Sequence, residues 1–229
     1  MRKIVLVTLA LLIGCTGQKD QTPPEIRTAY SINPIEVIVI YNEPIDPASA
    51  ESTSNYLIHA LDTAYADDTL LISEVFLVND TSVKVITSPQ TAFRWYVLHV
   101  KNVLDRAKNP ISNTKVTFCG YGVAYWGEYK ISVGTGNAPI ITWSPDDKIY
   151  ELTVTEYFCD GSDSVRWRIT AKDTLGFSGP VTYKTIPEGT SQPEPTPPDT
   201  VLWLMPGHYY HIDITGIENA GDGHLRFIR

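Results

Sequence analysis

Val165-Arg166-Trp167-Arg168-Ile169 alternates apolar and charged side chains without a break. A period of two is the pattern of a strand with one face on a core and one in water. Val165, Trp167 and Ile169 are therefore expected inward and both arginines outward. The same short alternation, bounded by Pro, Gly, Asn or Asp, recurs at 36–41, 82–87, 95–103, 151–155, 209–214 and 225–228. No window after the first fifteen residues sustains an apolar period of 3.6. The expected fold is all-β, and strands spaced in this way with turn signals between them predict sandwiches. At 229 residues the chain exceeds the comfortable size of one such core, so two domains are expected.

A hydrophobic content of 43% with 19% charged residues is that of a chain able to bury a core, far from the composition of disorder. The formal charge is −8, and removal of a leader carrying Arg2 and Lys3 would take it to about −10. Nucleic acid is excluded as a partner on this reading, because phosphate binding needs clustered Lys and Arg and the sequence has no such run.

Met1-Arg2-Lys3 is a basic start, and 4–13 is a ten-residue apolar run broken only by Thr8. A membrane-spanning helix needs about 20 apolar residues, whereas the core of an export signal needs roughly 7 to 15, so 1–14 reads as a signal peptide. Leu12-Ile13-Gly14-Cys15 resembles the lipobox of bacterial lipoproteins. That resemblance implies that the Cys15 thiol takes a diacylglycerol, that cleavage makes Cys15 the new N-terminus, and that the chain partners a membrane through its lipid. The lipid on Cys15 is the only non-protein group expected; no other cofactor is. Several acyl chains, each CH₂ contributing about 0.8 kcal/mol, anchor a protein firmly. Thr16 in place of Asp implies the outer membrane where the host has two. Residues 15–23 read as the lipidated cysteine and its tether, which would reach at most about 28 Å.

Residues 24–118 carry the motifs Tyr41-Asn42-Glu43-Pro44-Ile45-Asp46-Pro47-Ala48-Ser49, Asn55-Tyr56, and 103–111 with Asp105 and Asn109. Together these resemble the SbsA-type bacterial Ig-like domain of S-layer and other surface proteins. Asp46 and Asp105 then hold turns through their side chains, a structural role. The family usually has Gly where this chain has Lys108, at a turn where positive φ would be costly for a side chain. Residues 138–229 resemble a fibronectin type III sandwich. Leu204-Met205-Pro206-Gly207-His208-Tyr209-Tyr210, then Ile212 and Ile214, look like its corner and strand, with Tyr210 as the tyrosine whose hydroxyl bonds back to the chain. Residues 186–200 hold five prolines. Too few residues follow them for a further domain, so they are expected to be a stiff loop within one sandwich. The junction at 119–137 is either a linker or an extra hairpin of one domain.

With Cys15 lipidated, Cys119 and Cys159 are the candidates for a disulfide in an oxidising compartment, which would contribute roughly 4 kcal/mol; two separate thiols are the alternative. His208 and His211, with His224 further on, suggest a metal pair at first sight. Positions three apart on a strand point to opposite faces, and no Cys or carboxylate completes ligand spacing nearby, so no metal is expected. Asp146-Asp147 and Asp160-Gly161-Ser162-Asp163 lack EF-hand spacing and read as solvated turns. No catalytic residue is assigned, because nucleophile-elbow, zinc-protease, P-loop and dinucleotide motifs are all absent; Gly176-Phe177-Ser178-Gly179 has the wrong spacing for an elbow. Tyr121, Tyr125, Trp126 and Tyr129 fall within a window of nine residues at the junction. They are either ligand-contact aromatics that stack on sugar, or, for Trp126 in particular, a plug between two sandwiches, the reading preferred here. The function expected is that of a non-enzymatic, membrane-anchored structural, adhesive or assembly module of the cell envelope with envelope proteins or polysaccharide as partners. The alternative is a glycan-binding accessory module.

Overall fold

The computed structural model describes residues 20–65, 68–195, 201–217 and 221–229. The expected signal peptide, Cys15 and the start of the tether lie outside them. Eight strands build a first sandwich: β1 (Ile26–Asn33), β2 (Glu36–Tyr41), β3 (Tyr56–Ala60), β4 (Thr69–Leu70), β5 (Ile72–Asn79), β6 (Ser82–Thr87), β7 (Trp95–Val100) and β8 (Lys115–Cys119). One sheet runs β1-β2-β6-β5 and the other β4-β3-β7-β8. Inward positions alternate as the sequence predicts: Val37 and Val39 on β2, Val83 and Val85 on β6, and Ile58 and Leu98 on the facing sheet are buried in one core. Each such side chain contributes about 1.5–3 kcal/mol.

Nine strands build a second: β9 (Val123–Gly127), β10 (Lys130–Val133), β11 (Ile140–Ser144), β12 (Ile149–Tyr157), β13 (Asp163–Ala171), β14 (Val181–Thr182), β15 (Thr190–Glu194), β16 (Tyr209–Gly216) and β17 (Asp222–Ile228). Its sheets run β10-β11-β14 and β15-β13-β12-β16-β17-β9. Trp167, Ile141, Trp143, Ile212, Leu225 and Phe227 fill the space between them. The molecule is all-β, two tandem sandwiches, and every ladder among the described residues is antiparallel.

Four details differ from or sharpen the sequence reading. Residues 123–133 are neither a linker nor a hairpin: β9 and β10 both belong to the second sandwich, and between them the chain crosses from its six-stranded sheet to its three-stranded sheet. Gly127 turns the chain at φ 96°, where a Cβ would lie 2.3 Å from the Asp222 carbonyl oxygen. The proline segment is partly a strand, with β15 at the edge of the larger sheet, the position a proline tolerates. The β13 alternation breaks at a bulge: Trp167 pairs with Val154, but Val165 pairs with Thr155. Val165 thus leaves the core face, and Arg166, expected in water, forms an ion pair with buried Glu156 at 2.5 Å.

The two sandwiches meet at an apolar junction. Cys119, Tyr209 and Ile228 are buried there with Phe93, Trp95 and Tyr157 packed against them. Phe93 and Tyr157 lie 5.2 and 5.3 Å from the Tyr209 ring. Gly207 (φ 79°) presses its backbone on Tyr30 of the first sandwich, leaving a hypothetical Cβ only 2.0 Å from Tyr30 Cβ. The proposed disulfide is absent: both cysteines are free, Cys119 buried and Cys159 exposed. Burial in the junction pushes the Cys119 thiol up to about 12, which makes it unreactive. Cys159 instead lies 3.8 Å from the Thr117 hydroxyl.

At the far end of the first sandwich, the end of the expected tether is held down. The Asn109 amide donates to the carbonyls of Asp20 (3.0 Å) and Thr22 (3.3 Å), and Asn109 also donates to Asp105. The segment 20–23 therefore lies along the sandwich, and any free tether ends before Asp20. Asp46 caps a short helix α1 (Pro47–Ala50), accepting from the Ser49 amide. Lys108 adopts φ 71°, the conformation that favours Gly, with its ammonium 2.6 Å from Asp46.

Candidate functional site

The four junction aromatics fall into three environments, with alternation on β9 separating Tyr125 from Trp126. Tyr129 is buried in the second core. Tyr121 and Tyr125 line a cavity of about 660 Å³ where the second sandwich is open between β9, β10 and β17, with Tyr125 59% exposed and Lys130 over its ring. Trp126 points to the opposite face of the sheet, 40% exposed, and does not plug the junction, which Phe93, Trp95 and Tyr209 fill instead.

On that opposite face, Trp126 covers a cluster that the sequence reading did not assemble. Antiparallel register places Asp213 against His224 and His211 against Arg226, and sets Trp126 beside His224. The His224 ring stacks under Trp126 at 5.2 Å and 16°, and the His211 ring lies 5.2 Å from the same indole. His224 Nδ1 is 2.6 Å from Asp213 Oδ1, and His211 Nε2 is 3.2 Å from that same oxygen without hydrogen-bond geometry. His211 is buried and its Nε2 has no hydrogen-bond partner. Burial holds its pKa below the ordinary value; Asp213 opposes this, while Arg226 and His224 add to it. The ligand-capable atoms of His211, Asp213 and His224 lie within 4.8 Å of one another.

The expectation that no carboxylate would complete a histidine set is therefore overturned. His208 and His211 do point to opposite faces, and His208 bonds to Glu156 on the other side. The completing residues are Asp213, two positions on and so on the same face, and His224 across the ladder. The H-x-D spacing was legible; the partner strand was not. The other acidic turns behave as solvated ones, Asp160 accepting from the Ser162 amide and hydroxyl at 2.9 and 2.6 Å. Tyr210, buried on the core face, accepts from the Met205 amide at 2.8 Å.

No family model matches the chain, and no curated protein matches it. Among solved structures, the N-terminal part of the bacterial S-layer protein SbsC is similar at TM-score 0.41 and 12% identity, over 90% of this chain and 44% of that one. Domains 1–6 of the surface layer protein SbsC give 0.38 and 11%, over 91% and 41%. The chicken CNTN1 FN1-FN3 domains give 0.25 and 14%, over 87% and 62%. The chain spans less than half of the S-layer chains it matches. At these values the fold rests on the sheets described above, and no role is transferred.

Proposed function

We propose that the chain is a non-enzymatic envelope lipoprotein, anchored at Cys15, whose two sandwiches act as a rigid stand-off that presents the second sandwich away from the membrane. The observation that supports it is the apolar junction: Tyr209, Phe93, Trp95 and the Gly207–Tyr30 contact hold the sandwiches in one relative orientation, where a mere linker would leave them free. The anchored segment enters the first sandwich beside Asn109, at the end opposite that junction. Outer-membrane placement and envelope partners are part of this reading.

A second reading is favoured by the Tyr121 and Tyr125 cavity, whose exposed aromatic faces suit stacking on sugar rings. One set of experiments separates them. Labelled palmitate should enter the full-length chain and be lost in Cys15→Ser, which should also leave the membrane fraction; retention of both would sink the anchor. The purified chain is then tested on the host's envelope polysaccharides. Saturable binding lost in Tyr125→Ala but kept in Trp126→Ala moves the assignment to a glycan-binding module, and no binding leaves the stand-off.

A further inference from the structure

We propose that His211, Asp213 and His224 bind one divalent transition-metal ion of the Zn²⁺ class on the outer face of the six-stranded sheet. Two imidazoles and one carboxylate are the donor set that borderline ions such as Zn²⁺, Ni²⁺ and Cu²⁺ take, whereas Ca²⁺ and Mg²⁺ prefer oxygen alone. Bonds of about 2.0–2.1 Å around a tetrahedral ion put neighbouring donor atoms roughly 3.3 Å apart. His211 Nε2 and Asp213 Oδ1 stand at 3.2 Å. His224 Nδ1 and Asp213 Oδ1 stand at 2.6 Å, so entry of the ion exchanges that hydrogen bond for two metal bonds with an opening of roughly 0.7 Å.

The observation that points to a ligand is the His211 nitrogen. A buried ring nitrogen without a hydrogen-bond partner is costly unless something binds it. It faces Asp213 at contact distance without donating to it. The surroundings suit coordination. Strands β16 and β17 are both paired on either side in their sheet, so the three side chains project from rigid backbone. Trp126 roofs both imidazoles, and Thr153 and Thr155, buried on β12, close the other flank opposite Asp213 and His211. Tyr157 lies beside His211, its ring 6.2 Å away. Asp213 and His224 keep about a third of their side-chain surface open, which gives an entry path and leaves the fourth position for water or an outside ligand.

Arg226 is a positive charge set against the ion. It stands across the ladder from His211 with its guanidinium over Trp126 at 4.8 Å. Its positive charge repels a bound cation, so its removal should strengthen metal binding.

The test uses the full-length chain in detergent, carrying Cys159→Ser to remove the exposed thiol, and stripped with EDTA. Calorimetric titration with ZnCl₂ should show one saturable site, and Co²⁺ should give visible bands without thiolate charge transfer. Zn²⁺ should raise the melting temperature. His224→Gln and Asp213→Asn should each weaken binding about tenfold or more. Arg226→Gln should tighten it severalfold, a change of opposite sign that loss of folding cannot mimic. Absence of a one-to-one site in the folded chain, or binding unchanged in His224→Gln, would overturn the proposal and leave a hydrogen-bond clamp. Weaker binding in Arg226→Gln would overturn it as well.

Discussion

Glu156 shows how one bulge rewrites what a strand pattern promises. Alternation in 165–169 places Arg166 in water, yet the extra residue in β13 turns its guanidinium onto a carboxylate that is 3% exposed. His208 reaches the other oxygen. Burial alone would raise the Glu156 pKa, but the hydrogen bonds from His208 and Arg166 outweigh it and the net shift is downward from 4.5. Because the folded value lies below the unfolded one, this contribution is complete above pH 4.5 and is lost as pH falls through the folded value. Urea midpoints should therefore fall on acidification through that window. Glu156→Gln should be less stable by about 2 kcal/mol at pH 7 and lose less on acidification; an unchanged acid slope would refute the assignment. Lys108 is the converse case. A side chain sits where a glycine fits better, and its ion pair with Asp46 offsets part of that cost.

At the scale of elements, periodicity carried the reading far. β2, β6, β7 and β16 lie on the runs that alternate in sequence, because a half-buried strand has no other way to satisfy both faces. What alternation cannot supply is which strands are neighbours. Tyr125 and Trp126 separate onto a cavity and a histidine cluster simply because they are adjacent on β9, and the three candidate ligands meet only through the β16–β17 register. The step between β9 and β10 is neither the linker nor the extra hairpin that the sequence offers for 119–137 but a change of sheet, and its turn rests on Gly127, whose role shows only once Asp222 is beside it. Gly127→Ala should then cost more than the ordinary 1 kcal/mol or so for a glycine replaced at positive φ, since backbone must move as well. Thermal unfolding checks this, and a neutral result would mean that the β9–β10 turn adjusts freely.

For the whole molecule, the junction decides whether two sandwiches behave as one body. Tyr209→Ser removes a ring in contact with both Phe93 and Tyr157. Small-angle scattering should show a narrow distribution of interdomain distances for the native chain and a broad one for the variant, with the single melting transition splitting in two. An identical scattering profile would show that the remaining junction contacts, among them Gly207 on Tyr30 and Ile228 with Trp95, hold the orientation without the Tyr209 ring.

The arrangement of the first sandwich also sets how the molecule carries force. β1 and β8 lie side by side at the sheet edges and run parallel, joined at Glu25 and Asn113 near one end and by the Ser31 hydroxyl on the Cys119 carbonyl near the other. The chain enters β1 beside Asn109 and leaves β8 at the junction, so its points of entry and exit are at opposite ends of the first sandwich. A pull between them drags the two edge strands past each other lengthwise and loads their cross-links together, instead of peeling a ladder open one bond at a time. The fold is thereby built to resist tension along its long axis.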